Sequence, residues 1–365
     1  MRAQMRDRTP TRTPSMRRTE RHWLGLAVGA ALLAVMLAGV LVGPAAISLA
    51  DLLGALLRPL ARMIGEDQSA SAVQPSWQAV VIWQIRLPRV LTGAMVGAAL
   101  AVSGAVLQGL FRNPLASPSV LGVASGASLG AVLAIFLGLA VTQVWALPLF
   151  AFAGALTTLF VVYGIAVRGG HTPVATLLLA GIAAGAFNVA MSSFLLALAL
   201  ENWEVGKSIV YWTMGGLEGR TWDHVLLIAP FLAVGLALVM AYPRDLDALL
   251  LGETQAASVG VNVPRTRLVL LLVTALLTAA GVAVAGGIGF IGLVVPHIVR
   301  LLAGPHHRRL LPLSALLGAL LLVGADLALR LLFATTEIPL GVVTAAMGAP
   351  FFLFLLLRQR GMVSL

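Results

Sequence analysis

Long apolar runs separated by short polar connections set the pattern of this chain. Ten of them follow one another, at about 23–43, 89–110, 119–139, 146–167, 174–200, 223–241, 266–286, 288–303, 310–332 and 341–357. An α-helix needs about 20 apolar residues to cross the hydrocarbon core of a bilayer. In lipid every backbone amide must be satisfied within the segment, and barrel strands would be shorter and would alternate, so each run is read as a helix. The stretch from 266 to 303 would span about 57 Å as a single helix at about 1.5 Å per residue, nearly twice the core, and must fold back. Gly286-Gly287 followed by Gly289 is the expected break. Glycines four apart, Gly93 with Gly97, Gly122 with Gly126 and Gly130, and Gly181 with Gly185, lie on single helix faces and predict close backbone approach.

Composition narrows the class. Of 365 residues 59% are hydrophobic and 10% charged, which leaves no room for a large soluble domain beside the membrane part. With no cysteine, disulfides, iron–sulfur clusters and thiolate metal sites are excluded. The formal charge of +10 falls in the N-terminal segment and the short loops, the pattern of cytoplasmic anchoring rather than nucleic-acid binding. Residues 1–22, with seven arginines, read as a disordered cytoplasmic tail ahead of one membrane domain, 23–360. A signal peptide is the other reading, but the run from Trp23 to Val42 is longer than a signal core. Arg112, Arg168, Arg244, Arg265, Arg308 and Arg358 mark one set of connections, while Glu66, Asp67, Glu201, Glu204, Glu218, Asp223 and Glu337 mark the other. The chain is thus expected to be an all-α integral membrane protein of about ten transmembrane helices with both termini cytoplasmic.

Catalytic signatures are absent: there is no glycine-rich phosphate loop carrying a lysine, no zinc-binding His-Glu pair motif and no nucleophile elbow. Asp326 is the one acid within a span and lies four residues before Arg330, so the two share a helix face. It either neutralises and orients Arg330 or relays protons. Arg86 and Arg89, in IRLPR, stand on the outer side before the second span. They either snorkel to headgroups or offer planar bidentate donors to a docking partner's carboxylates. The inner connection 245–262, DLDALLLGETQAASVGVN, reads as two short helices around Gly252-Glu253, either a surface element or one suited to a groove on a soluble partner.

Several stretches carry a family resemblance: WQIRLPRVLTGAMVGAALAVSGAVLQGLFRNPLASPSVLGVASGAS at 83–128, LLLAG at 177–181, YWTMGGLEG at 211–219, LGETQAASVGV at 251–261, GGIGFIGLVVPHIVRL at 286–301 and EIPLGVVTAAMGAPFF at 337–352. In order and spacing, from about residue 77 to the C-terminus, the chain resembles the permease subunit of type II ABC importers, which take up vitamin B12, ferric siderophores and haem. The resemblance implies a ten-helix permease of the bacterial inner membrane, working as a homodimer with two ATPase subunits and a periplasmic binding protein. It places Arg86, Arg89 and Arg330 at the binding-protein dock, and Gly252, Glu253, Ala256 and Gly260 in helices coupled to the ATPase. It sets the fifth and tenth helices along the path, where this sequence offers Asn188, Met191, Ser192, Thr344 and Met347. An inner gate is expected around His171, Thr172 and Thr176. No metal or cofactor is expected to reside on the chain, ATP and magnesium belonging to the partner ATPase, and no nucleic acid is implied. Haem is the favoured cargo, with ferric siderophore and cobalamin as alternatives. An ion-coupled secondary transporter would need intramembrane acids beyond Asp326, and a receptor or scaffold gives no reason for both outer arginines and an inner coupling loop.

Overall fold

The computed structural model describes residues 18–43, 45–64, 76–143, 145–167, 174–333 and 338–363, and their regular structure is entirely helical. In chain order the helices are α1 (Arg18–Leu41), α2 (Leu49–Ile64), α3 (Trp77–Val80), a π-helical segment (Val81–Arg86), α4 (Leu87–Leu110), α5 (Val123–Phe136), α6 (Leu139–Thr142), α7 (Ala146–Ala166) and α8 (Val174–Ala199). There follow α9 (Trp203–Met214), α10 (Trp222–Val239), α11 (Pro243–Leu250), α12 (Glu253–Ser258), α13 (Val263–Ala285), α14 (Ile291–Ala303), α15 (His307–Leu332) and α16 (Leu340–Val363). Among the described residues seven helical stretches are long and apolar enough to cross a membrane, and three shorter apolar helices, Val123–Phe136, Ile291–Ala303 and Leu340–Phe351, complete the ten runs. The predicted break is present: α13 ends at Ala285, Gly286 caps it at φ +70°, and α14 begins at Ile291.

Two helices form the centre. The most apolar windows of α4, taken with the helical turns before it, and of α13 are 83% and 78% buried, against 11% for α1 and for α8, which lie at the edge. Around α4 pack α15, α13, α14, α10 and α1, while α5 sits between α7 and α8. Without a hydrophobic drive between helices in lipid, close backbone contact must hold them. At the α4–α15 crossing a Cβ on Gly97 would stand 2.3 Å from the Gly318 carbonyl oxygen, and one on Gly318 would stand 2.3 Å from that of Gly97. Gly126 and Gly154 face each other in the same way between α5 and α7. The spacing of Gly93, Gly97, Gly126 and Gly130 signalled one side of these contacts; Gly154, Gly292 and Gly318, the other side, stand in no such pattern.

Three features depart from the pattern of runs. Helix α1 begins at Arg18, inside the segment expected to be a tail, and residues 1–17 lie outside the described set. Helix α2 is an amphipathic helix between the first two spans, burying Leu52 and Ala55 while Leu49, Leu53 and Leu57 stay exposed. Its start is a capping box: the Ser48 hydroxyl accepts from the Asp51 N–H at 3.2 Å, and the Asp51 carboxylate accepts from the Ser48 N–H at 2.9 Å and hydroxyl at 2.6 Å. Those bonds hold the Asp51 carboxyl below its ordinary value. Finally, the second crossing begins at Trp77, twelve residues before the expected start at 89, through the π-helical segment.

Candidate functional site

The π segment follows from Pro88. Proline has no N–H to give, and its ring crowds the carbonyl four residues back. The chain widens instead, and the Leu87 N–H reaches back five residues to Ile82 O. The carbonyl of Trp83, whose partner five residues on is Pro88, would then be left open. The Trp222 indole N–H fills it at 2.7 Å, while the Trp83 indole N–H donates to Ala55 O of α2 at 3.1 Å. This knits α2, the π segment and α10 together at the expected outer rim.

The three arginines expected to dock a partner gather at this rim, and the structure gives each an internal task. Arg86 is 4% exposed, and its guanidinium donates to Val40 O at 2.9 Å, Leu41 O at 2.6 Å and Ala45 O. Arg330 donates to Gly39 O at 2.9 Å and Val42 O at 3.3 Å. Both therefore cap the C-terminus of α1, where unpaired carbonyls and the negative end of the helix dipole favour cations. Arg89 is the bridging member. Its Nε lies 3.1 Å from each Asp326 oxygen, and its Nη2 lies 2.7 Å from Asp326 Oδ1 and 3.2 Å from Glu218 Oε1. Asp326, 1% exposed, also lies 3.2 Å from Arg330 Nε. The carboxylate thus does more than orient Arg330, since it joins α4 to α15, and Glu218, marked beforehand only as an outer acid, joins the network through Arg89.

Below the rim, three glycine-rich motifs meet. The Gly216 N–H donates to Ala285 O at 2.9 Å and the Gly341 N–H to Gly215 O at 3.2 Å. A Cβ on Gly341 would lie 2.1 Å from Met214 O and 2.4 Å from Gly287 O, so no larger residue fits. The ends of α9 and α13 and the start of α16 are tied at this point. Beside it opens a cleft of about 550 Å³, lined by Glu204, Ser208 and Tyr211 of α9, by the α5–α6 turn and by Pro339.

Of the expected path residues, Asn188 is turned inward: its amide donates to Thr158 Oγ1 at 3.1 Å and Ser125 Oγ at 3.3 Å, joining α8 to α7 and α5. A polar side chain in an apolar bundle finds its partners between helices, and this removes Asn188 from the exposed face. Thr344 is also buried, its hydroxyl donating to Gly341 O at 3.0 Å. Met191 and Ser192 are half-buried, whereas Met347 is exposed, as are Phe187 and Phe194 of α8. At the inner end Thr176 is half-buried in the first turn of α8; His171 and Thr172 lie outside the described residues. Among the described residues no group of three His, Cys, Asp or Glu is placed to hold a metal ion.

On the inner face, the 245–262 connection forms the two short helices expected, α11 and α12. Gly252 between them has φ +120° and ψ 159°, a conformation open only to glycine, with its N–H on Leu249 O at 3.1 Å. Ala256 is the fully buried residue of α12. Gly260, at φ +89°, closes α12 in a Schellman turn, with Val261 N–H on Ala256 O and Gly260 N–H on Ala257 O, each at 3.0 Å. Glu253 pairs with Arg267 in the first turns of α13. The Asp247 carboxylate accepts from the His307 backbone N–H at 2.9 Å and lies 2.7 Å from its ring Nδ1. Burial would raise that carboxyl, but the hydrogen bonds from His307 and the nearby charges outweigh it and hold it below its ordinary value. Leu251 and Val259 stand exposed beside the two glycine turns, an apolar surface that the loop's sequence signals only by position.

A family model described as the FecCD transport family matches residues 31–358. The cobalamin import system permease protein BtuC of Halobacterium salinarum is 50% identical over 282 residues, covering 77% of this chain and 74% of that one. The Fe(3+) dicitrate transport system permease protein FecD of Escherichia coli is 44% identical over 294 residues, covering 79% of this chain and 90% of that one. A solved chain from a transporter assigned to the metal-chelate ABC type, in an inward-facing conformation, superposes with a TM-score of 0.80 at 30% identity, covering 92% of this chain and 99% of that one.

Proposed function

Because the chain belongs to the FecCD transport family, we propose that it carries cobalamin across the plasma membrane as the permease of an ATP-driven importer. Its standing as a multi-pass ABC-importer permease follows from the family. Cobalamin as cargo rests on one observation, the 50% identity over 282 residues with a permease named for cobalamin import. A ferric chelate such as iron citrate is the second reading, favoured by the 44% identity with the dicitrate permease. Haem, the cargo favoured from sequence, is named by none of these relatives, and no motif in the chain selects it.

The working unit is a homodimer of this chain on two ATPase subunits, which bind ATP and magnesium, capped by a periplasmic binding protein. The exposed apolar faces of α8 and α16, with Phe187, Phe194 and Met347, support a second copy and a path between the two. A wall with few polar groups lets a large, rigid chelate slide without tight binding. For docking, Arg89 and Glu218 are the accessible members of the rim, with side chains 18% and 43% exposed. A partner's carboxylate would join an existing charge network there, and a bond to Arg86 would require that side chain to leave the α1 cap. On the inner side, the Gly252–Gly260 segment with Leu251 and Val259 presents a compact apolar knob to the ATPase.

The test is ATP-dependent uptake in proteoliposomes holding the permease, its ATPase and its binding protein, offered labelled cobalamin, ferric citrate and haem separately. Accumulation of cobalamin alone is expected. Accumulation of ferric citrate alone transfers the assignment to the second reading, and accumulation of haem alone overturns both.

A further inference from the structure

A cleft of about 750 Å³ opens on the inner face where α10 ends and α15 begins, and neither the outer rim nor the Gly252–Gly260 knob uses it. Arg244 from the start of α11 and His306, Arg308 and Arg309 from the start of α15 line it. Asp247 is the lone acid in the lining and is already engaged by the His307 ring and backbone. Arg86, Arg89, Arg267 and Arg330 all bind carbonyls or carboxylates of the fold; none of the ion pairs among the described residues involves Arg244, Arg308 or Arg309. Two chain segments some sixty positions apart therefore bring three guanidiniums and an imidazole to one cavity whose single carboxylate, Asp247, is bound by His307 and shared electrostatically with His306.

The depth of the cleft says which anion fits. Met240 and Ala241, the residues that follow the membrane crossing of α10, form part of its wall, and α15 is itself a crossing helix. Its mouth thus lies at the level of the inner-leaflet headgroups. Met240 is exposed, as are Leu301 and Leu302 at the end of α14, so apolar surface is available at the same level. Basic pockets between crossing helices on the cytoplasmic side suit anionic headgroups. Guanidiniums bind phosphate oxygens in a bidentate way, and the 26-residue α15 aims the positive end of its dipole toward the same place. We propose that this cleft is a binding site for the phosphodiester headgroup of an anionic phospholipid.

The experiment is native mass spectrometry of the purified full chain in detergent micelles doped with either phosphatidylglycerol or phosphatidylcholine. The wild type is expected to retain phosphatidylglycerol and not phosphatidylcholine. The double variant R308Q/R309Q should lower phosphatidylglycerol occupancy by about tenfold. R112Q/R265Q, which removes the same charge from the inner face outside the cleft, should leave it unchanged. R308K/R309K, which keeps the charge, should retain most of the lipid and shows that any loss in the glutamine variant is not misfolding. Equal losses in R308Q/R309Q and R112Q/R265Q would overturn the site in favour of general surface charge. Displacement of the lipid by excess inorganic phosphate would make it a site for free phosphoryl anions. Full lipid retention by R308Q/R309Q with loss of ATPase-subunit copurification would make it a protein dock. The measurement involves no cargo, so it stands whichever chelate crosses.

Discussion

Asp326 shows what one side chain can do when two guanidiniums converge on it from different helices. A neutral amide at that position keeps the shape but removes the counter-charge that Arg89 and Arg330 share. Breaking a buried pair of this kind costs about 3–5 kcal/mol. Asp326→Asn should therefore lower the thermal unfolding midpoint of the detergent-purified chain clearly, and an unchanged midpoint would show that the network does not support the fold. The sequence exposed only part of this arrangement. Asp326 and Arg330 are four residues apart on one helix, so their pairing could be read directly. Arg89 meets Asp326 across 237 positions and Glu218 meets Arg89 across 129, where only the packed helices decide who meets whom. Arg86 is a related case: its position before a span suggests an outward reach, while the carbonyls it binds lie at and just beyond the end of α1, 41–46 residues earlier. Asn188 carried the same ambiguity, since polarity within an apolar helix fits a pore wall and an interhelical bond equally well.

At the scale of elements, hydropathy located the crossings because apolar length is what a bilayer selects. It could not find features set by backbone geometry. The π segment is one, since it comes from the missing N–H of Pro88 and is completed by an indole from α10. Replacing that donor, Trp222→Phe, leaves the Trp83 carbonyl open and should cost about 1–3 kcal/mol, read as a lower unfolding midpoint; a midpoint equal to wild type would mean that water satisfies the carbonyl. Helix α2 escaped notice because its apolar residues form a stripe rather than a run. The form of the 245–262 connection was legible, by contrast, because glycine at Gly252 and Gly260 is a local signal of a local need. A Cβ at Gly252 would meet Gln255 Oε1 at 2.5 Å on a backbone at φ +120°. Gly252→Ala is thus expected to abolish cargo-stimulated ATP hydrolysis in the complex proposed above while the permease still purifies as a folded chain. Normal stimulation would remove the segment from the coupling role.

Across the whole molecule, the order of crossings followed from apolar length, and two of the helices are left with bare apolar surfaces. The edge helix α8 leaves most of its residues uncovered, and α16 exposes Val342, Met347 and Leu353. Apolar area of this kind faces lipid, a second copy or the path, and sequence cannot separate these because all three ask for the same residues. A covalent probe can. The chain has no cysteine, so Met347→Cys provides a single thiol on an otherwise thiol-free background. Mild oxidation of membranes is expected to yield a disulfide-linked species of twice the chain mass. Its absence, with free thiol still reactive to a maleimide, would place Met347 against lipid.

Helix α13 can also be considered as a rod. Its 23 residues rise about 34 Å. Glu253 of α12 is fastened to its base by Arg267, and its far end enters the glycine junction shared with α9 and α16. Its one proline, Pro264, lies in the first turn, so no proline kink interrupts its length. A stiff rod of that length converts a tilt of about 5° at the base into a shift of about 3 Å at the tip, comparable to the width of a water molecule. Leverage of this sort requires no relay of side chains between the two membrane faces. The size of the stroke is set by how far the helices packed around α13 let it swing.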